Sequence, residues 1–250
     1  MSFGLVLSGG AARGAFHLGV LSFFDEHNIK FEAYAGSSIG SVITTSYASG
    51  VSPKEQLKIF KSKELKKAIK FNPYLNGLFK IDEKNSLIKE LLPTSRLEDI
   101  SKPVFVCVYD YKHKQLIYYP KGDTLQLCIA SCALLPLFKP LAYENRKLFD
   151  GGLIDNIPLR PLLNKNLKIC SIDLLPRKEL TLNKTLNPIK LLKRKAFKTW
   201  HQNVNYSIKH TDIYITSPKL RDYKMFTFEG LDELFNLGYK EASNYLSSFE

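Results

Sequence analysis

The chain has 250 residues, 44% of them hydrophobic and 24% charged, a balance typical of globular proteins that excludes collagen-like, coiled-coil and disordered chains. No apolar run reaches the roughly 18–20 residues of a membrane span, and Met1–Leu7 lacks the basic region and the cleavage site of a signal peptide. We therefore expect one domain over residues 1–250, cytoplasmic or peripherally membrane-associated, without a signal peptide or a transmembrane segment. The four cysteines stand singly in apolar segments with no histidine nearby, which indicates buried thiols rather than a zinc site.

Hydrophobic periodicity and turn residues predict strands that alternate with helices, which is the pattern of an α/β fold. In chain order the predicted elements are strand 3–7, helix 14–27, strand 31–35, helix 41–49, helix 54–70, helix 84–92, strand 103–109, strand 115–119, helix 125–134, two short strands within 141–149, strand 168–174, helix 188–208, strand 212–216 and helix 231–249.

The formal net charge of +12 is concentrated in two segments. Residues 54–70 carry a net charge of +5 and residues 177–210 a net charge of +8, so the remainder of the chain is close to neutral. Such segments attract nucleic acid or an acidic bilayer; the alternative is that they are solvated helix faces. In the predicted helix 188–208, Trp200 and Val204 fall on an apolar stripe with basic residues largely opposite, which both interfacial and core-packed helices show.

A candidate nucleophile stands in Gly36-Ser37-Ser38-Ile39-Gly40, which matches G-x-S-x-G between a predicted strand and a predicted helix. A serine on this sharp turn needs glycine on both sides, because side chains there would clash with neighbouring backbone. The turn exposes the Ser38 hydroxyl at the start of a helix, where amide groups and the helix dipole favour developing negative charge. The alternative is an ordinary glycine-rich turn.

A serine nucleophile needs a base. A histidine base is one alternative, but the five histidines (His17, His27, His113, His201 and His210) all stand outside glycine-rich loops at strand ends. Asp150-Gly151-Gly152 follows an apolar strand, and its two glycines allow close backbone packing. Asp150 is therefore a candidate catalytic residue, although Asp-Gly-Gly is also a common turn.

A third glycine-rich loop, Ser8–Gly14, lies between the first predicted strand and the first predicted helix. Backbone amides in such a loop can form an oxyanion hole. A phosphate-binding loop is the rival interpretation, but neither G-x-x-x-x-G-K-[ST] nor G-x-G-x-x-G spacing is present.

Taken together and in this order, the three loops resemble the patatin-like phospholipases, which carry G-G-G-x-R/K-G, G-x-S-x-G and D-G-A/G. The matching residues are Gly9, Gly10, Ala11, Arg13 and Gly14 of the first motif, Gly36, Ser38 and Gly40 of the second, and Asp150, Gly151 and Gly152 of the third. Two flanking stretches, Ala130–Leu134 and Asn156–Leu159, are also similar to the family, so the resemblance covers roughly residues 4–175. Ala11 departs from the pattern, since a glycine usually stands there, and we expect its methyl group to narrow the oxyanion pocket.

This resemblance implies a three-layer α/β/α sandwich with a central, mostly parallel sheet, and a Ser38–Asp150 dyad that needs no histidine. Ser38 is then the nucleophile and Asp150 the base, while the amides of Gly10 and Ala11 hold the oxyanion and Gly9 shapes the turn. For Arg13 the resemblance leaves two roles, contact with a substrate phosphate or support of the loop.

The substrate class implied by the resemblance is a membrane phospholipid or lysophospholipid, cleaved through an acyl-enzyme with peripheral contact to an anionic membrane surface. No metal or organic cofactor is implied, and no protein activator is identified. Two alternatives stay open: an acyltransferase using the same acyl-enzyme, and a basic nucleic-acid-binding protein without enzymatic activity. Against the latter, and against nucleic acid as a partner, stands the lack of any known nucleic-acid-binding module.

Overall fold

The structure is a computed structural model, and it describes residues 2–71, 79–81, 86–134, 138–176 and 200–247, with side chains left undescribed at 66–71 and 79–81. The strands are β1 Phe3–Leu7, β2 Phe31–Ser37, β3 Ile69–Phe71, β4 Phe79–Ile81, β5 Val104–Asp110, β6 Gln115–Tyr119, β7 Leu141–Tyr143, β8 Arg146–Asp150, β9 Lys168–Ile172 and β10 Ile213–Ile215. The α-helices are α1 Gly14–Glu26, α2 Ile39–Ala48, α3 Pro53–Lys61, α4 Lys63–Ala68, α5 Ser86–Leu91, α6 Thr124–Ser131, α7 with described residues 200–209, and α8 Leu231–Ser247.

The central sheet has the strand order β10-β9-β1-β2-β5-β8-β7, with β6 paired to β5. Strands β10, β9, β1, β2 and β5 run parallel, whereas β6, β7 and β8 are antiparallel to their neighbours. The loops that follow β1, β2 and β9 therefore leave the sheet at its carboxyl edge, which is where α/β proteins place their sites.

Both faces of this sheet are buried, as a mostly parallel sheet requires. Side chains alternate along β1, so that Leu5 and Leu7 enter one hydrophobic cluster while Val6 enters a second. Helices α1, α2 and α8 contribute to the first cluster, and α7 with residues 157–162 contributes to the second. The fold is therefore the expected three-layer α/β/α sandwich.

Two glycines bring helices α1 and α8 into backbone contact. A Cβ atom on Gly19 would lie 1.9 Å from the Phe235 carbonyl oxygen, and one on Gly238 would lie 2.1 Å from the Phe16 carbonyl oxygen. Neither position has space for a side chain. This close crossing fixes α8 against the helix that follows the Ser8–Gly14 loop.

The structure corrects the prediction of one helix over residues 54–70, where two helices and a strand occur instead. Ser62 has an extended backbone, and its hydroxyl donates to the Ile59 carbonyl and accepts from the Leu65 amide, so it ends α3 and begins α4. The predicted helix 188–208 is described only from residue 200, and its earlier part lies outside the described residues. Within the residues described, no helix has the length and apolarity to cross a bilayer.

Candidate active site

Ser38 occupies the turn between β2 and α2 in a backbone conformation that non-glycine residues rarely adopt, with φ 50° and ψ −129°. A Cβ atom on Gly36 would lie 2.5 Å from the Gly40 carbonyl, and one on Gly40 would lie 2.2 Å from the Leu7 carbonyl oxygen. Both glycines of the motif are therefore required for the strand and helix to meet this closely, and the strained residue between them is Ser38.

Hydrogen bonds hold both sides of the Ser38 backbone. Its amide donates to the Ser131 hydroxyl at 2.9 Å, and that hydroxyl donates to the Cys107 carbonyl at 2.7 Å. Its carbonyl accepts from the Ser41 hydroxyl at 2.7 Å. The Ser38 amide is therefore already bonded and is not available as a donor to an oxyanion.

Asp150, the last residue of β8, lies within the site with 4% of its surface exposed. Burial raises the pKa of its carboxyl group to about 7, although hydrogen bonds from the Gly152 amide and the Ser38 side chain act to lower it. The Gly152 amide lies 2.8 Å from Asp150 Oδ1. The structure thus brings Ser38 and Asp150 together, and it gives the carboxylate proton affinity suited to a base near neutral pH.

The loop after Asp150 is held from two sides. Gly151 packs on β5, where an added Cβ atom would lie 2.6 Å from Cys107 Sγ. On the other side, the Trp200 indole donates to the Gly152 carbonyl at 3.1 Å and the Asn203 amide donates to the Ile154 carbonyl at 2.8 Å. Helix α7 therefore fixes the loop that carries the carboxylate.

The Ser8–Gly14 loop lies beside Ser38, since a Cβ atom on Gly9 would be 3.0 Å from the Ser38 Cβ. The Gly9 amide donates to Asn156 Oδ1 at 3.2 Å, whereas the amides of Gly10 and Ala11 have no partner within the described residues. Ala11 has φ 51°, a left-handed conformation that favours glycine. This conformation gives a physical reason for the glycine expected at position 11.

Arg13 supports this loop through protein carbonyls. Its guanidinium donates to the Tyr223 carbonyl at 2.7 and 2.9 Å and to the Leu174 carbonyl at 3.2 Å. Gly14 lies against α2, where an added Cβ atom would be 2.7 Å from an Ile39 side-chain carbon. Of the two roles left open for Arg13, these contacts match support of the loop.

His17 lies behind the same loop and is fully buried. Its Nε2–H donates to the Ser8 carbonyl at 2.9 Å. Burial lowers the pKa of His17 to about 4, outweighing the opposite effect of that hydrogen bond, so the ring is neutral at physiological pH. His17 thus orients the start of the loop.

The other histidines make contacts elsewhere. The ring of His27 bonds to the Phe23 carbonyl, that of His113 to Asp110, and that of His210 to the Tyr206 carbonyl. The ring of His201 packs edge-on against Trp200. In the described part of the chain, no hydrogen bond joins a histidine to Ser38 or Asp150.

Several residues of the site escaped prediction, namely Ser131, Cys132, Asn156, Trp200 and Asn203. Cys132 interacts with the Ser38 side chain, and burial raises the pKa of its thiol well above the usual range. Ser131, Cys132 and Asn156 fall within the two flanking stretches that resemble the family, and that resemblance could have identified them as site residues.

The described residues contain no group of histidine, cysteine and acidic side chains able to hold a metal ion.

A strained serine on a strand–helix turn, next to a carboxylate at the carboxyl edge of an α/β sheet, is the arrangement of a serine hydrolase. The family profile described as Patatin-like phospholipase matches residues 5–163, and the chain belongs to this family.

Relatives named Lysophospholipase NTE1 are similar in sequence. The one from Debaryomyces hansenii is 26% identical over 289 residues, covering 100% of this chain and 18% of that protein. The one from Cryptococcus neoformans var. neoformans is 30% identical over 179 residues, covering 66% of this chain and 10% of that protein. The chain thus spans a fifth or less of the length of these relatives.

Two solved structures share the fold. VipD from Legionella pneumophila has a TM-score of 0.56 at 15% identity, over 99% of this chain and 67% of that one. The type III effector protein ExoU has a TM-score of 0.52 at 15% identity, over 99% of this chain and 53% of that one.

Proposed function

We propose that the chain is a serine lipid acyl hydrolase that cleaves the ester bonds of phospholipids or lysophospholipids through a Ser38–Asp150 dyad. The observation that carries this proposal is the pair itself: a strained, partly exposed serine interacting with a buried carboxylate whose pKa is about 7. The names of the relatives support a lysophospholipid as the substrate. Family membership favours this function over the nucleic-acid-binding alternative.

In the first step the Ser38 hydroxyl attacks the ester carbonyl while its proton passes to Asp150. The oxyanion of the tetrahedral intermediate accepts hydrogen bonds from the amides of Gly10 and Ala11, whose lack of other partners in the described chain supports this role. The intermediate collapses when Asp150 returns the proton to the departing alcohol, leaving an acyl-enzyme. In the second step water gives a proton to Asp150 and attacks the acyl carbon. Asp150 then passes this proton to the Ser38 oxygen as the acyl–oxygen bond breaks, which releases the fatty acid and restores both residues.

Release of fatty acid from lysophosphatidylcholine and from phosphatidylcholine tests this function. We expect Ser38→Ala to abolish release, whereas Ser46→Ala should leave it near normal, because the buried Ser46 hydroxyl has no partner in the described structure. Among carboxylates, Asp155→Asn is the matched control for Asp150→Asn, since burial also raises the pKa of Asp155, to about 6, and its side chain bonds to Tyr118 instead of to Ser38. Release that survives Ser38→Ala would contradict the proposal.

A membrane substrate requires contact with a bilayer, and we propose peripheral contact with an anionic surface. The basic segments 54–70 and 177–210 were both expected to provide it. In the first, two lysines make ion pairs within the protein, Lys54 with Glu26 at 3.3 Å and Lys61 with Asp232 at 2.6 Å. Residues 177–199 lie outside the described residues.

A further inference from the structure

Two hairpin turns meet at one end of the central sheet. The first joins β5 to β6 and the second joins β7 to β8, and the Tyr111 amide links them by donating to the Lys147 carbonyl at 2.9 Å. A groove of about 530 Å³ runs between them. We call this surface the hairpin platform, and define it by Tyr111, Lys112, Lys114, Asn145, Arg146 and Lys147.

The strand register puts the platform at the edge of the sheet that holds the site. Ser37 pairs with Cys107, and Asp150 pairs with Val108 of the same strand. Tyr111 lies three residues after Val108 along the chain. Because β5 runs parallel to β2, this is the same direction in which β2 leads to Ser38. At about 3.3 Å per residue Tyr111 stands about 10 Å beyond the level of the site.

A buried carboxylate gives the platform a fixed geometry. Asp110 has 0% of its surface exposed and accepts from the amide of Lys112 at 2.9 Å, the ring of His113 at 2.6 Å and the guanidinium of Arg146 at 2.7 Å. Burial alone would raise its pKa, but hydrogen bonds from His113 and Arg146 lower the pKa to about 2, so Asp110 stays ionised. One anion therefore ties together side chains from both turns.

The exposed side chains are basic and aromatic. Tyr111 is 64% exposed, yet its ring contacts that of Phe149 at 6.3 Å, so it protrudes on an aromatic support. Lys112, Lys114 and Lys147 are exposed and make no ion pair within the described residues. The two turns carry one exposed acid, Glu144, and no acidic side chain lines the groove.

We propose that the hairpin platform docks the protein on the phosphate layer of an anionic bilayer and so turns the carboxyl edge of the sheet toward the lipid. Lysine near an anionic leaflet is attracted to it, and tyrosine partitions into the interfacial layer. Because the platform projects on the same side as Ser38 and Asp150, docking there brings the site to its substrate. The purpose of docking rests on the proposed function, but the docking itself does not.

Vesicle sedimentation tests the platform with two charge-matched double variants in a Ser38→Ala background, so that turnover does not alter the lipid. The platform variant carries Lys112→Gln and Lys147→Gln. The control carries Lys30→Gln and Lys168→Gln, two exposed lysines at the amino ends of β2 and β9, on the opposite edge of the sheet.

On vesicles of phosphatidylcholine with phosphatidylglycerol, we expect the platform variant to lose about 25-fold in partitioning, from about 5-fold per lysine, and the control to lose far less. Tyr111→Ser should weaken partitioning into anionic and neutral vesicles alike. Equal losses in the two double variants, or equal binding of the parent protein to anionic and neutral vesicles, would overturn the proposal. Platform-dependent binding to a soluble polyanion with none to vesicles would also overturn it, in favour of a macromolecular partner.

Hydrolysis separates this proposal from the proposed function. With Ser38 restored, the platform variant should cleave a short soluble ester at the parent rate, while its hydrolysis of anionic vesicles falls with its partitioning. If the parent protein cleaves no ester, the proposed function is wrong, and the sedimentation result still decides the platform. A platform variant that hydrolyses anionic vesicles as fast as the parent would count against docking at this surface.

Discussion

Asp150 must be ionised to act as a base, and we expect the ionised, buried carboxylate to lower the free energy of unfolding. Its pKa rises from 3.8 to about 7 on folding because the carboxyl group is buried. At about 1.4 kcal/mol per pKa unit, ionisation of Asp150 lowers the free energy of unfolding by about 4 kcal/mol in total. About 3 kcal/mol of this loss occurs between about pH 5 and about pH 8.5. Because the pKa of the Asp150 carboxyl group is raised, its protonated form stabilises the fold at low pH, and this contribution is lost as pH rises through 7.

Asp150→Asn removes the titration but keeps an oxygen that can accept the Gly152 amide. The free energy of unfolding of the variant, relative to the parent, should therefore rise by about 3 kcal/mol from about pH 5 to about pH 8.5. Urea unfolding with linear extrapolation at both pH values measures this difference, and the comparison with the parent cancels the other titrating groups. The same experiment with Asp155→Asn should give a smaller rise, of about 1.4 kcal/mol, because burial raises the pKa of Asp155 only to about 6.

The same ionisation should control catalysis. We expect hydrolysis of a soluble ester to rise with pH to a plateau, with a midpoint near 7, because only ionised Asp150 accepts the Ser38 proton. Asp150→Asn should lower turnover by orders of magnitude while it stabilises the fold at alkaline pH. A stability difference that is equal at both pH values, or a folded variant with near-normal turnover, would refute this reasoning.

Three further substitutions test the surroundings of the site. Ala11→Gly should raise the free energy of unfolding by up to about 1 kcal/mol in urea titrations, because glycine tolerates a φ of 51°, and a loss of stability would contradict this. Gly19→Ala should cost more than about 3 kcal/mol or prevent folding, since its methyl group would meet the Phe235 carbonyl; a change below about 0.5 kcal/mol would show that the crossing is loose. Trp200→Phe should lower kcat on a soluble ester about 5-fold with little change in KM, because the Gly152 carbonyl loses its donor. An unchanged kcat would mean that α7 does not position the loop.

The sequence predicts the turn at Ser38 and the loop at Asp150 because the signals for both are local. The turn around Ser38 is defined by glycines within two residues, and its position between a strand pattern and a helix pattern follows from hydrophobic periodicity. The same holds for Asp150 at the end of an apolar strand. The break at Ser62 was missed because the lysine-rich periodicity looks the same on both sides of it.

Contacts between distant residues could not be predicted in this way. Arg13 donates to the carbonyl of Tyr223, and Trp200 donates to the carbonyl of Gly152. Every residue has a backbone carbonyl, so the identity of the accepting residue does not indicate that such a bond forms. The ion pair of Arg146 with Asp110 was likewise not predictable, because the two residues lie on separate hairpins and only the fold brings them together.

The most direct test of the central claim is fluorophosphonate labelling followed by peptide mapping, because the reagent modifies a serine only where it is activated as a nucleophile. We predict one adduct, on Ser38, that disappears in Ser38→Ala, is strongly slowed in Asp150→Asn and persists in Asp155→Asn. An adduct on a different serine, or labelling that survives Ser38→Ala, would contradict the proposed dyad.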